Sequence, residues 1–522
     1  MKTGLYRVFV VILLSIASKS AAQNINIIPK PAAIKTTSKT MLLTAETGLN
    51  IKGSSANSAS YLVTRLKDGL NLVLDERTDC KSTLSLILDP KYSDNMEAYS
   101  LTIDKDIEIR AASDTGLFYG IQSFLQLFPP RVYSQYGLEQ ESYELPQLEI
   151  KDEPRFSWRG HMLDISRHFF DKAEIMETID VMAMHKLNVL HLHLSDFDSW
   201  RVEIKKYPEL INVGSRGDHS HWAKGKARYY LSQNEVKEII KYAKTRHVMI
   251  IPEIDMPGHS SAAANSYPEY FDGKSAFNPA KEETYGFISD ILDELIAIFP
   301  APYFHIGGDE VAGNTQWDKL SDVQALMKEK GFSSLHEVEE YFDQRVVNMV
   351  LEKGKIPIGW NELAHFNVNS KTIFQWWQGA FNSPHGKRAL DNNHKIIMSS
   401  SGKLYFDYPQ RFNEPGWGDN TNSIDEIYEW EPVPAELTSE QEKNIIGLEA
   451  PIWTEHIQSN DYREFMTFPR LTGVAEIAWS KKGTKDLDEF NKRMEVQYKR
   501  FDALDINYRA PGPRSGNKYK LN

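Results

Sequence analysis

The sequence predicts an α/β protein, a (β/α)8 TIM barrel over residues 152–505 preceded by a small α+β domain over 23–151. Three observations lead there. After Asp152-Glu153-Pro154, strand-like apolar runs alternate with amphipathic helical stripes, the pattern of βα units around a parallel sheet. The runs number eight in about 300 residues, the strand count of a closed barrel. Acidic and aromatic side chains gather just past the ends of these runs, where parallel α/β folds place their ligands.

The chain begins with Lys2 and Arg7, the apolar run Val8 to Ala17, and then Ser20-Ala21-Ala22. That is the layout of a secretory signal peptide, residues 1–22, cut after Ala22. The run is too short to span a bilayer. From Ile25 to Ile150 short strands are broken by turns. Leu84 to Leu88 and Tyr99 to Ile103 are two, and Asp106-Ile107-Glu108-Ile109-Arg110 alternates as a half-exposed strand should. Gly116 to Phe128 reads as a helix stopped by Pro129-Pro130, with Leu117, Ile121, Phe124, Leu125 and Phe128 on one side. The expected role of this domain is to pack against its neighbour.

The barrel strands are expected at Gly160–Ile165, Asn188–Leu194, Val248–Ile254, Tyr303–Ile306, Ile356–Trp360, Thr372–Trp376, Lys395–Met398 and Ile445–Trp453. Helical stripes lie between several of them. One is Val236, Ile239, Ile240 and Ala243, a second is Tyr285, Ile288, Leu292, Leu295 and Phe299, and a third is Leu335, Val338, Phe342 and Met349. Between Lys395 and Ile445 stands a loop around Pro415-Gly416-Trp417 with no convincing helix. Residues 506–522 read as a polar, frayed tail.

Composition narrows the class. Charged residues at 25% and apolar residues at 41% are ordinary for a folded globular chain. The net charge of −12 comes with no basic stripe, which argues against nucleic acid or an anionic membrane as partner. Cys80 is the only cysteine, so no intrachain disulfide forms. With no Asn-x-Ser/Thr sequon either, an exported protein of this length reads as bacterial, periplasmic or extracellular.

The run Tyr303-Phe304-His305-Ile306-Gly307-Gly308-Asp309-Glu310 is the centre of the pattern: a buried strand, two glycines at its end, and tandem carboxylates at the tip. Adjacent acids oppose each other's ionisation, so they suggest chemistry more than an ordinary helix cap, the bland alternative for Asp309. Around the other strand ends stand Asp164 and Arg167, then Asp196, Asp198 and Trp200, then Glu253, Asp255 and His259. They are followed by Trp360 and Glu362, Trp376 and Trp377, Tyr405 and Asp407, and Trp453 and Glu455. A carboxylate-rich pocket walled by indoles suits a neutral, hydroxyl-rich ligand, with Trp faces covering its ring.

The run Trp158 to Phe170, the run Lys186 to Asp196 and Pro252-Glu253-Ile254-Asp255-Met256-Pro257-Gly258-His259 resemble barrel segments of glycoside hydrolase family 20, the β-N-acetylhexosaminidases. His305-Ile306-Gly307-Gly308-Asp309-Glu310 is the most diagnostic. The likeness spans about Asp152 to Ser480, and the preceding domain looks like the α+β domain the family usually carries. One departure is Leu192, where the family often has Trp.

The resemblance implies an exo-acting retaining glycosidase that removes terminal β-linked N-acetylhexosamine, with the substrate's own acetamido oxygen as nucleophile. Glu310 is then the general acid and base, Asp309 holds the acetamido N–H, and Tyr405 fixes the acetamido oxygen. As an adjacent anion, Asp309 is expected to favour the protonated form of Glu310. Trp360, Trp377 and Trp453 match the pocket walls, and Arg167, Asp407 and Glu455 match residues that bind the outer hydroxyls. Asp196 and His259 stand beside them in supporting or substrate-contact roles. Arg167 has the simpler alternative of bracing the barrel mouth through Asp164, and Asp196 with His259 of orienting neighbours. Trp376 points the opposite way to Trp377 along the chain. The implied mechanism requires no metal and no cofactor; His191 and His193 share a strand face in metal-like spacing, but barrel interiors also hold hydrogen-bonded His. Two rivals remain: a binding protein without catalysis, and a two-carboxylate glycosidase using Asp196 or Glu455 as nucleophile, which needs carboxyls about 5 Å apart.

Overall fold

The computed structural model describes residues 25–53, 56–77, 79–137, 142–220, 227–311 and 313–512. The expected signal peptide, residues 1–22, lies outside them. Strands β1 (Ala33–Thr44), β2 (Gly48–Lys52), β3 (Thr83–Leu88), β4 (Tyr99–Ile103), β5 (Ile107–Ala111) and β6 (Ser142–Asp152) form one mixed sheet in the order β1-β6-β4-β5-β3-β2. Neighbours are antiparallel from β1 to β5 and parallel from β5 to β2. Helices Ala56–Leu70 and Asp114–Leu125 accompany the sheet. The second starts two residues before the expected Gly116, because Ser113 caps it by accepting from Gly116 N.

Strands β7 (Trp158–Asp164), β8 (Val189–His193), β9 (Met249–Glu253), β10 (Tyr303–His305), β11 (Ile356–Trp360), β12 (Ile373–Trp376), β13 (Ile396–Met398) and β14 (Ile445–Ile452) close into a parallel barrel, β14 pairing with β7. All eight expected runs are strands, with ends that shift by up to two residues. Each strand is largely buried on both faces, as a parallel sheet wrapped by helices requires. The three expected stripes fall on helices Gln233–Lys244, Glu282–Ile298 and Leu335–Glu352. Capping boxes start two of them, Ser232 with Glu235 and Ser334 with Glu337.

Two expectations are corrected. The stretch between β13 and β14 holds three short helices, Ser401–Leu404, Ile424–Glu429 and Ser439–Glu442; none exceeds six residues, so no apolar period shows. The start of the supposed frayed tail is tied down: Arg509 N donates to Phe468 O and its guanidinium grips Glu414. Residues 513–522 lie outside the described part.

The sheet docks on the barrel through buried charge. Lys186 Nζ lies 3.1 Å from Asp152 Oδ2 and 2.9 Å from the Tyr99 hydroxyl, and Trp479 Nε1 donates to Asp152 Oδ1 at 2.9 Å. No helix among the described residues is long and apolar enough to cross a membrane.

Candidate active site

Every barrel strand delivers a polar or aromatic side chain to the same end of the barrel. The tip of β10 is the tightest part. Gly307 and Gly308 have φ of 71° and 98°, and a Cβ on Gly307 would stand 1.8 Å from Asp255 Oδ1, so the turn accepts only glycine there. Glu310 (φ 51°) and His259 (φ 49°) also occupy left-handed backbone, a conformation that non-glycine residues keep mainly where surrounding contacts impose it. The turn sends the two acids into different surroundings: the Asp309 side chain is 13% exposed and that of Glu310 is 55% exposed. His259 Nε2 stands 3.5 Å from a carboxylate oxygen of each.

A cavity of about 260 Å³ opens above them. It is lined by Arg167, His259, Asp309, Glu310, Trp360, Trp377, Tyr405, Asp407, Trp453 and Glu455, ten of the eleven residues singled out from sequence. Asp196 is the eleventh and lies behind the wall. Its Oδ2 forms an ion pair with Arg167 Nη2 at 2.7 Å and accepts from His193 Nε2 at 2.9 Å, and its Oδ1 accepts from His259 Nδ1 at 3.1 Å and from Phe197 N. Both oxygens are occupied. Trp376 turns away from the cavity and stacks on Phe381, while Trp377 faces in, nearly parallel to Tyr405 at 6.1 Å between centroids. Trp360 and Trp453 meet at 5.6 Å, and the Arg167 guanidinium covers Trp453 at 5.0 Å. Arg167 also reaches Asp164 at 3.3 Å, so it braces the mouth and faces the cavity together.

Tyr408 and Trp417 complete the lining and were not singled out from sequence. They stack at 5.8 Å, and Trp417 is 51% exposed. Its glycine-flanked position in an otherwise patternless loop was the available signal. Glu362 was also passed over as a site residue: it accepts from Trp377 Nε1 at 3.0 Å and sets that wall.

Electrostatics at the acid pair run opposite to expectation. Burial pushes the Asp309 carboxyl up, against the attraction of His259. The hydrogen bond from His259 holds Glu310 below its ordinary value, because half of that side chain keeps its water. Burial disfavours the His259 imidazolium, yet Asp196 and Asp309 carry it well above the usual histidine range. Burial and then the neighbouring Asp309 push the Asp255 carboxyl far up. Burial and the neighbouring Glu455 raise Asp407 to about 7.

Three groups bring possible ligand atoms within 4.8 Å of one another: His191, Glu253 and His305; His193, Asp196 and Asp255; and Asp255, His259 and Asp309. Each group includes an imidazole nitrogen facing a carboxylate at hydrogen-bonding distance, which is the geometry of imidazolium–carboxylate pairs.

Comparison with known proteins decides the family. The profile described as "Glycosyl hydrolase family 20, catalytic domain" matches residues 156–482, and "Glycosyl hydrolase family 20, domain 2" matches residues 24–153. The chain belongs to glycosyl hydrolase family 20. Its enzyme class is that of the β-hexosaminidases. It is similar to the β-hexosaminidase of Porphyromonas gingivalis, 35% identical over 80% of this chain, and spans 55% of that longer relative. The β-hexosaminidase of Vibrio furnissii is 31% identical over 87% of this chain and 76% of its own length. Among solved structures, the family 20 exo β-N-acetylglucosaminidase of Vibrio harveyi in complex with N-acetylglucosamine superposes with a TM-score of 0.83. That pair is 29% identical and covers 94% of this chain and 79% of the other. The β-N-acetylhexosaminidase of Streptomyces coelicolor gives 0.81 at 30% identity, covering 93% and 98%.

Proposed function

We propose that this family 20 enzyme removes terminal, non-reducing β-linked N-acetylhexosamine from glycans or glycoconjugates, with retention, by neighbouring-group participation. The observation that carries this reading is the enclosure of Asp196. A two-carboxylate mechanism needs a free carboxylate at the sugar, and both Asp196 oxygens are taken by Arg167, His193 and His259. That removes Asp196 from such a scheme. Glu455 lines the cavity, is read as a binder of the outer hydroxyls, and is tested as a nucleophile by the glucoside assay below. In this reading the nucleophile is supplied by the substrate. Its acetamido oxygen bonds to the anomeric carbon as the glycosidic C–O bond breaks, and water opens the oxazolinium that results.

Glu310 gives its proton to the departing oxygen and takes one back from the incoming water. A sugar seated over Glu310 removes water from a half-exposed carboxyl, and that desolvation raises it toward the protonated form the first step needs. Asp309 accepts the acetamido N–H, and its ionised form is opposite the positive charge that develops on the new ring. Tyr405 directs the amide oxygen, Trp360, Trp377 and Trp453 enclose the methyl and the ring, and Arg167, Asp407 and Glu455 take the outer hydroxyls. The small cavity suits one terminal sugar, which supports exo action.

Paired assays with an aryl β-N-acetylglucosaminide and the matching aryl β-glucoside test the reading. The acetamide should be cleaved roughly 10³-fold faster or more, since the held amide replaces an intermolecular attack. Comparable rates would remove the participating amide, and no phenol release from either would leave a binding protein. The matching export proposal, that residues 1–22 are removed, is tested by N-terminal sequencing of the mature protein, with Gln23 expected first.

A further inference from the structure

Glu253 ends β9 inside the barrel, wholly buried, and no catalytic step uses it. Its Oε1 accepts from Trp360 Nε1 at 3.0 Å and lies 2.9 Å from His305 Nδ1. Its Oε2 faces His193 Nδ1 in a short hydrogen bond and stands 3.2 Å from His191 Nε2. His193 passes the contact on: its Nε2 donates to Asp196 at 2.9 Å, Asp196 holds His259 at 3.1 Å, and His259 reaches Glu310. The path crosses the ends of β8, β9 and β10, each step at 3.5 Å or less.

We propose that Glu253 is a positioning residue that fixes both halves of the active site from below, one oxygen setting the Trp360 wall and the other setting His193, Asp196, His259 and, through them, Glu310. This rests on the glycosidase reading of the pocket and adds a member to its machinery that touches neither substrate nor reacting atoms. The charge arrangement fits. The groups facing His193 are Glu253 and Asp196 at contact, Asp255 within 4.8 Å, Asp164 further off, the edge of Trp453, and Arg167 Nη1 at 3.4 Å from Nε2. Two carboxylates in contact outweigh one guanidinium, and His193 is held well above the ordinary histidine range in spite of burial. His193 is then a cation with both nitrogens donating, a state it keeps only while Glu253 is an anion. His191, His193 and His305 in turn hold Glu253 well below the carboxylate range, although burial alone would raise it.

Neutron diffraction from the unmodified protein in heavy water at neutral pH gives a direct reading. Deuterons are expected on both Nδ1 and Nε2 of His193; a single deuteron would overturn the proposal, and neither result depends on which substrate is cleaved. Glu253→Gln supplies the functional readout. Gln keeps an acceptor for Trp360 but cannot sustain the His193 cation, so kcat should fall roughly ten- to a hundredfold with KM little changed. With His193 neutral, one of the two positive charges at Asp196 Oδ2 is gone and only Arg167 remains there, so the limb of the kcat/KM profile that reports Glu310 should move to higher pH. His193→Gln should move it the same way, and the double variant no further than either single one. A shift to lower pH in Glu253→Gln would mean its charge acts on Glu310 directly, and an unmoved profile with only a lowered Tm would mean a structural role; either sinks the proposal. Inactivity of the wild type on both aryl glycosides would refute the glycosidase reading instead, and leaves the deuteron count to stand by itself.

Discussion

The Asp309 carboxyl lies almost wholly inside the protein beside His259 and Asp255, while Glu310 next to it keeps half its water. Asp309 lines the cavity, so an isosteric substitution there should act chiefly on chemistry. Asp309→Asn swaps an acceptor oxygen for a donor amide and removes the charge that opposes the developing ring cation. We expect kcat to fall by roughly 10²-fold or more, in the range seen when one charge-stabilising group is lost. Steady-state rates together with thermal melts check this; near-normal turnover would misassign the residue. The residue types of this pocket were readable because they recur in quoted runs at strand ends. Their electrostatics were not, since the sign at Glu310 depends on His259, which lies 51 positions earlier in the chain and meets it only in the fold.

The β10 turn is the element on which the geometry depends. Gly307→Ala would drive a methyl into Asp255 Oδ1 and strain a left-handed backbone. The turn must then open or the chain lose stability by several kcal/mol, with mechanisms of this kind among the largest known for single changes. Circular dichroism melts and activity should both fall, and an unaltered melt with full activity would contradict the contact. Barrel strands and long helices could be read from sequence because burial imposes a period on them. The helices Ser401–Leu404, Ile424–Glu429 and Ser439–Glu442 are too short to show one, and their caps, Ser423 with Glu426 for instance, are the sole local sign. Trp417 reads from sequence only as part of that loop and not as a pocket residue, for the same reason: its place at the pocket mouth is set by long-range packing of the loop.

At the scale of the whole molecule, the barrel interior carries imidazolium–carboxylate pairs instead of a purely apolar fill, and stability should follow their titration. Burial works against the His191 cation, but Glu253 and Glu449 raise it to about 9. A histidine raised above its unfolded value of roughly 6.5 contributes fully below that pH and loses the contribution as pH climbs through the folded value. Thermal stability should thus decline between about pH 6.5 and about 9, by more than in a variant with His191→Gln. A flat profile across that window would mean the interior is uncharged. The alternation of His191 and His193 on β8 was visible in sequence; which acids they would meet, Glu449 from the last strand and Glu253 from the next, was not, because closure of the barrel decides it.

The clasp between Arg509 and Glu414 ties the last described turn of the chain to the loop that carries Trp417. A polypeptide stopped after Asp505 should still wind its barrel, since none of the eight staves is touched, but its doorway would lose a hinge pin. Such a shortened enzyme is expected to show a higher KM with nearly the same kcat, a difference that progress curves on the aryl substrate would reveal at once.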